Sequence, residues 1–466
     1  MVFSSVTFLF FYLPIMLFIY YISPYKWKNF ILFITGLFFY AWGEPIYITM
    51  MLLSTLIDYI CGRLMELSKT QRGRKICLLA SVLMNLSLLS VFKYSSFFIT
   101  SINAVFGTSI PDPKLPLPIG ISFFTFQSMS YTIDLYWRNV KVQRSFINFS
   151  SYVSMFPQIV AGPIVRYGDV AKELESRTIT VNMVGEGVGI FIRGLAKKVL
   201  LANSIGMLWS QIKAMPIGEL PAATAWIGIL AFAFQIYFDF SGYSDMAVGL
   251  GKMLGFKFPQ NFDHPYISKS ISEFWRRWHM TLGGWFREYL YIPLGGNRNG
   301  TFQTVRNLLI VWFLTGLWHG ASWNFVLWGV YFGVIIIAER FFLKKLLEKL
   351  PGFVQIMYTF LLVLFGWVIF EAPDVVGAMD YFGAMFGGSG KLFDANTIYM
   401  LGGYGLIFIV CIFASTEWFR KIHAWLLGKL PNSLPYAEPV LQLIIMLVCT
   451  AYLVDSTYNP FLYFRF

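Results

Sequence analysis

Apolar runs of about 20 residues recur along almost the whole chain, and a run of that length can cross a bilayer as a helix. No other feature constrains the fold as tightly. Inside hydrocarbon there is no water to satisfy backbone N–H and C=O groups, so only helices or closed barrels can span. A barrel would show short alternating segments instead of continuous apolar runs. The composition agrees. Of 466 residues, 57% are hydrophobic and 13% charged, and the mean hydropathy is +0.62. That is too little polar surface for a soluble protein of this size. The expected fold class is an all-α polytopic membrane protein, a single integral membrane domain over residues 1–466. About eleven transmembrane helices are expected, at one span per apolar run, with re-entrant or interfacial helices besides.

The net charge of +12 has a plain reading in such a chain, because Lys and Arg collect in cytoplasmic loops. No basic patch interleaves with exposed aromatics in a polar domain, so nucleic acid is set aside. Lys26 and Lys28, the loop SKTQRGRK at 68–75, and Arg138, Lys141 and Arg144 alternate with acidic or uncharged loops at Glu44 and Asp112. Positive-inside logic then places the N-terminus outside. Arg193 with Lys197 and Lys198, Arg340 with Lys344, Lys345 and Lys349, and Arg420 with Lys421 fall on the cytoplasmic side. The last span runs outward, so the C-terminal tail YNPFLYFRF ends outside. Residues 3–22 have no basic region before them and no A-x-A-like site after them, and read as a retained span.

Several motifs are void. Cys61, Cys77, Cys411 and Cys449 form no C-x-x-C pair, which argues against a disulfide framework and a zinc site. There is no H-E-x-x-H and no G-x-S-x-G, so no metal centre and no nucleophile elbow is expected. Gly249-Leu250-Gly251 follows no strand, and the glycine-spaced stretch 185–194 is explained by close helix packing. No internal repeat is visible, which weighs against a transporter built from repeated halves.

Three stretches could carry chemistry. The first is LTGLWHGASWNFVLWG, residues 314–329, where His319 lies among Trp318, Trp323, Trp328 and Asn324. An ionisable group at membrane depth usually faces a bundle interior or a water-filled cavity and is a functional candidate. A histidine packed among aromatics and bonded to a helix carbonyl is the plainer alternative. The second stretch, 258–296, mixes Arg276, Arg277 and Arg287 with Glu273, Glu288, His264, His279 and many aromatics. It reads as an amphipathic interfacial helix that starts near Ser270 with a Ser-x-x-Glu capping box and bends at Gly283-Gly284. Snorkelling anchors explain most of its charges, and His279, between Trp278 and Met280, is the exception. The third, 234–256, carries Asp239 and Asp245 near Ser241, Tyr243 and Ser244. Paired carboxylates can do acid–base work, but bonding to hydroxyls or an arginine around a helix break at Gly242 is the plainer reading. His264 and His423 read as surface residues.

The run WRRWHMTLGGWFREYLYIPLGG at 275–296, followed by LTGLWHGASWNFVLWG, resembles the membrane-bound O-acyltransferase superfamily. LPLPIGISFFTFQSMSYTIDLYWR, FPQIVAGPIVRY, FQIYFDFSGYSDMAVGLGKMLGF and the tail NPFLYFRF resemble its alginate O-acetylase-like branch. The D-alanyl transfer protein of teichoic acid synthesis is a related alternative, and a non-catalytic donor or lipid transporter is another. The resemblance implies that His319 is catalytic and that His279 is the second, upstream polar residue. Trp278, Trp318, Asn324, Arg276 and Arg277 then become candidate substrate contacts. It also implies an acyl group taken from a cytoplasmic donor, acetyl-CoA, with no bound cofactor, and passed to an extracytoplasmic polysaccharide. His319 is expected as general base or, alternatively, as nucleophile. Asn324 is a candidate oxyanion donor. Members of that branch work beside a separate extracytoplasmic SGNH-type acetyltransferase or a secretion complex. The outward tail is a contact for such a partner, or folds back on the outer opening. The implied location is a bacterial cytoplasmic membrane, in contact with lipid, with both termini outside.

Overall fold

The computed structural model describes residues 1–466 apart from 161, 432, 456, 457, 461 and 463–466, and for 434 and 435 it describes the backbone alone. Every regular element among the described residues is a helix. Seven are long and apolar enough to cross a membrane: Ile48–Leu67, Gln71–Phe106, Ala222–Met253, Trp323–Leu347, Gly352–Glu371, Ala395–Ala414 and Tyr436–Asp455. Phe8–Ile22 is a shorter apolar helix. The expected count of about eleven took each apolar run as one span. Some of those runs form shorter or more polar helices outside the seven, among them Thr301–His319.

Contacts divide the chain into two compact units, Met1–Phe191 with Ser244–Pro259, and Ile192–Tyr243 with Gln260–Phe466. In the first, a polar network ties three helices together. Asp58, fully buried, accepts from Ser81 Oγ at 2.5 Å and from Asn85 Nδ2 at 3.0 and 2.9 Å. Ser81 also bonds Thr132 at 2.8 Å. In an apolar bundle such bonds hold helices in register, and they account for Asp58 as structure. The glycine-spaced helix behaves as expected, since a Cβ on Gly187 would stand 2.7 Å from Gly249 O.

The second unit is organised by the start of Ala222–Met253, by Gly352–Glu371, and by an antiparallel hairpin of Thr301–His319 and Trp323–Ala338. The hairpin is tight because glycines let backbones meet. A Cβ on Gly316 would lie 2.3 Å from Phe325 O, and one on Gly329 2.3 Å from Trp312 O. Only a short turn separates the two helices, so His319 is held where they join.

The helix break expected at Gly242 is absent, and Ala222–Met253 runs straight through that position. The glycine serves approach instead. A Cβ there would stand 2.7 Å from Gly194 O and 3.0 Å from Lys198 N. That approach brings Lys198 against Asp239. Lys198 is therefore buried, whereas the sequence pattern placed it in a cytoplasmic basic cluster.

Candidate active site

All residues of the site belong to the second unit. His319 ends its helix and is 5% exposed, while His279 is 2% exposed. Both imidazoles lie against one indole. Trp318 lies 5.9 Å from His279 and 5.0 Å from His319, centroid to centroid, with edges turned to faces. Trp328 and Phe370 close on His319 at 4.9 and 5.5 Å. Beside His319 is a cavity of about 10 Å³, walled by His319, Asp239, Trp278, Trp328, Trp367 and Leu462. It has room for about one water molecule.

The helix ahead of His279 starts as expected. Ser270 is the N-cap and accepts from Glu273 N at 3.0 Å. Glu273 reaches back to Lys269 N at 2.9 Å, one residue short of a reciprocal box. The expected bend at Gly283-Gly284 is not there. The break falls at Trp278 and His279, between Ile271–Arg277 and Met280–Phe286, and His279 takes a left-handed conformation with φ of 44°. Such a backbone on a non-glycine residue persists only where its surroundings hold it. Asn261 does so. Its carbonyl accepts from Met280 N at 2.9 Å. Its side-chain Oδ1 accepts from Thr281 N at 3.2 Å, from Thr281 Oγ1 at 2.9 Å and from His279 Nδ1 at 3.1 Å.

That last contact fixes a tautomer. The Thr281 backbone N–H can only donate, so the Asn261 atom is an acceptor and His279 Nδ1 carries the hydrogen. Nε2 of the neutral ring then holds the lone pair. His279 lies outside the seven candidate spans, and burial pushes its imidazole below the ordinary histidine range. Asn261→Ala should lower thermal stability by about 1–3 kcal/mol, the cost of stranding buried donors. Unfolding in detergent followed by intrinsic fluorescence measures it, and an unchanged midpoint would show that the acceptor is dispensable.

A second polar set adjoins the cavity. Lys198 Nζ and Asp239 Oδ1 are 2.6 Å apart, with side chains 2% and 3% exposed. Lys198 also donates to Asn203 Oδ1 at 2.9 Å and to Pro460 O. Asp239 Oδ2 accepts from Leu462 N at 2.9 Å. Tyr458 OH donates to Gly206 O at 3.0 Å, and Asn203 Nδ2 donates to Asn459 Oδ1 at 3.2 Å. The described part of the C-terminal tail thus folds back onto the unit, and Leu462 forms cavity wall. The rest of YNPFLYFRF, at 461 and 463–466, lies outside the described residues.

Residues 19–372 match the membrane-bound O-acyltransferase family. The chain belongs to that family. As an O-acyltransferase it has relatives along most or all of its length. It is 41% identical over 403 residues to a probable alginate O-acetylase of Azotobacter vinelandii, covering 85% of this chain and 80% of the relative. It is 37% identical to the probable alginate O-acetylase of Pseudomonas putida over the full length of both. A peptidoglycan O-acetyltransferase of Helicobacter pylori is 32% identical, over 84% of this chain and 80% of that protein.

Within this O-acyltransferase, His319, Trp318, Trp278 and His279 lie in one cluster. Other candidates do not. Asn324 donates to Ile369 O at 3.3 Å and Ala372 O at 2.9 Å, and accepts from Ser322 Oγ. Its amide braces the end of Gly352–Glu371, which leaves no donor for an oxyanion. Arg277 is taken up by Glu273 at 2.8 Å and by Asp263 at 3.8 Å. Arg276 bonds the helix carbonyl of Ser272 at 3.2 Å. Neither arginine lines the cavity. Asp239 pairs with a lysine and not an arginine. Asn261 has no part in the sequence reading, and Lys198 and Leu462 stand there only as members of a basic cluster and of the tail. Asn261 carried one available signal, a polar residue just before the His264-Pro265 turn that precedes the helix leading to His279.

Proposed function

We propose that this O-acyltransferase carries an acetyl group from a cytoplasmic donor, acetyl-CoA, to an extracytoplasmic polysaccharide, with His319 as general base. The observation that carries the reading is the placement of His319 on the wall of a small aromatic cavity, with the Trp318 indole 5.0 Å from His319 and 5.9 Å from His279. The similarity to two proteins named as alginate O-acetylases and one named as a peptidoglycan O-acetyltransferase supports acetyl over D-alanyl as the group moved.

In the proposed step, a ring nitrogen of neutral His319 takes the proton of the acceptor hydroxyl. The freed oxygen attacks the acetyl carbonyl, and the carbon–sulfur bond breaks as the new ester forms. The imidazolium then returns its proton to the departing thiolate, so the histidine is restored. His279, held as the Nδ1–H tautomer by Asn261, positions the acyl group. The acceptor hydroxyl belongs to the sugar or to a serine of a separate SGNH-type acetyltransferase. The chain sits in the cytoplasmic membrane of a bacterium with both termini outside, and its C-terminal tail faces that partner.

The test is the acetyl content of the exported polymer. Source cells deleted for this chain, and the same cells complemented with the wild type or with His319→Ala, are compared by proton NMR of the purified polysaccharide. Acetyl esters should appear only with the wild type. Equal acetylation in the deletion strain would sink the reading.

A further inference from the structure

A second cavity in the same unit has no part in the site above. It measures about 280 Å³, and its walls are Arg287, Tyr291, Arg298, Arg340, Asn297 and the glycines Gly295 and Gly296, with Ile292 beside them. Three arginines line it. Among the described residues none of the three has a carboxylate partner or a side-chain hydrogen bond, and Arg340 has only the Phe341 ring, 5.8 Å away. Like charges gathered around one opening repel each other unless an anion occupies it.

The opening is built and not a loose surface loop. Gly295 and Gly296 have φ of 102° and 58°, which turn the chain back on itself. Asn307, fully buried, donates from Nδ2 to Leu294 O at 3.1 Å and to Gly296 O at 2.9 Å. Arg306 in turn donates to Asn307 Oδ1 at 3.2 and 2.9 Å. The turn that carries Arg298 is therefore fixed before any ligand arrives, which lowers the entropy lost on binding.

We infer that the cavity bounded by Arg287, Arg298 and Arg340 is a phosphate-binding site. Guanidinium forks match phosphate oxygens in paired hydrogen bonds. Three unpaired cations suit the charge of a diphosphate better than that of a single carboxylate. Two sources share this chemistry, the phosphates of the acyl donor and the phosphate of a lipid headgroup.

Position favours the donor. Thr301–His319 runs from this turn to His319, about 28 Å at the helical rise. The cavity therefore lies at the end of the hairpin opposite His319, the end that also carries Arg340, Lys344 and Lys345. Positive residues mark the cytoplasmic face. Arg287 follows His279 by about two turns of Met280–Phe286 and its continuation, roughly 12 Å. Assigning the phosphate to an acyl donor rests on the acetyl-transfer reading, whereas phosphate binding itself does not.

The test uses the full-length protein in phosphatidylcholine nanodiscs, titrated with coenzyme A and with sodium pyrophosphate in a calorimeter. The variant is Arg287→Gln/Arg298→Gln/Arg340→Gln, with Arg298→Gln alone as the milder change. Both anions should bind the wild type and compete, and the triple variant should weaken each at least tenfold, on the order of one lost charge-assisted contact. A second arm uses discs containing phosphatidylglycerol and reads co-purified lipid by native mass spectrometry. Phosphatidylglycerol held by the wild type, released by pyrophosphate and absent from the variant assigns the site to a headgroup. If neither coenzyme A, pyrophosphate nor phosphatidylglycerol distinguishes wild type from folded variants, there is no phosphate site. Binding is read without turnover, so a failure of the acetyl-transfer reading leaves this result untouched.

Discussion

His319→Ala should cut acyl transfer by about a thousandfold, the middle of the range that a positioned proton acceptor supplies. That equals about 4 kcal/mol of transition-state stabilisation at 1.36 kcal/mol per decade. The size of the effect follows from the composition of the cavity wall. Its ionisable members are His319 and Asp239. Asp239 is committed to Lys198 at 2.6 Å and to Leu462 N at 2.9 Å, so it has little capacity to shuttle a proton. The remaining walls are indole, phenyl and aliphatic. A water or hydroxyl entering there meets one basic nitrogen donor set, that of His319. The loss should fall on kcat, with the KM for the donor little changed, because the missing interaction is made in the transition state. His319→Gln keeps most of the side-chain volume among Trp318, Trp328 and Phe370 without a group that can take up a proton at neutral pH. It should lose as much activity as alanine while keeping the wild-type melting temperature. Either variant retaining more than a tenth of wild-type turnover, with normal folding, would remove His319 from the mechanism.

How much of this was legible in the sequence depended on distance along the chain. Helical class followed from local composition, since apolar runs have few ways to exist in a bilayer. The hairpin that bears His319 was readable because its glycines, tryptophans and histidine all lie within 314–329. His279 stood out by type, a histidine between Trp278 and Met280. What supports it did not. Asn261 acts across the turn at Pro265-Tyr266-Ile267, and its role needs the fold. The same holds for the bend. Gly283-Gly284 was the better local breaker, yet the chain breaks at His279, because Asn261 captures Met280 N and Asp263 N bonds Arg277 O at 2.9 Å. Tertiary bonds outweighed glycine's preference. Asn324 failed for the opposite reason. It lay next to the right residue in sequence, but its amide had backbone carbonyls to satisfy in another helix.

Asp239→Ala should destabilise the protein by about 3–5 kcal/mol, because it strands a buried ammonium. Lys198 is 1% exposed, and no other carboxylate is paired with it among the described residues. Its remaining acceptors, Asn203 Oδ1 and Pro460 O, are neutral. Removing both charges is a different change. Lys198→Met/Asp239→Leu replaces the pair with apolar side chains of similar volume, and such exchanges are often neutral or stabilising. Thermal unfolding in detergent should therefore rank the single variant well below the wild type and the double variant near it. The double variant isolates a second role. Without the pair, Leu462 N and Pro460 O lose their partners, and the described tail keeps only the bonds made by Tyr458 and Asn459. Limited proteolysis should then release C-terminal fragments from the double variant at protease levels that leave the wild type intact. Acyl transfer by that variant should fall together with tail protection, since Leu462 is a wall of the cavity beside His319. A double variant as unstable as Asp239→Ala would mean that the loss comes from packing and not from the stranded charge. One with normal stability, a protease-sensitive tail and full activity would mean that the bonds from the Lys198–Asp239 pair to the tail serve no purpose in the reaction.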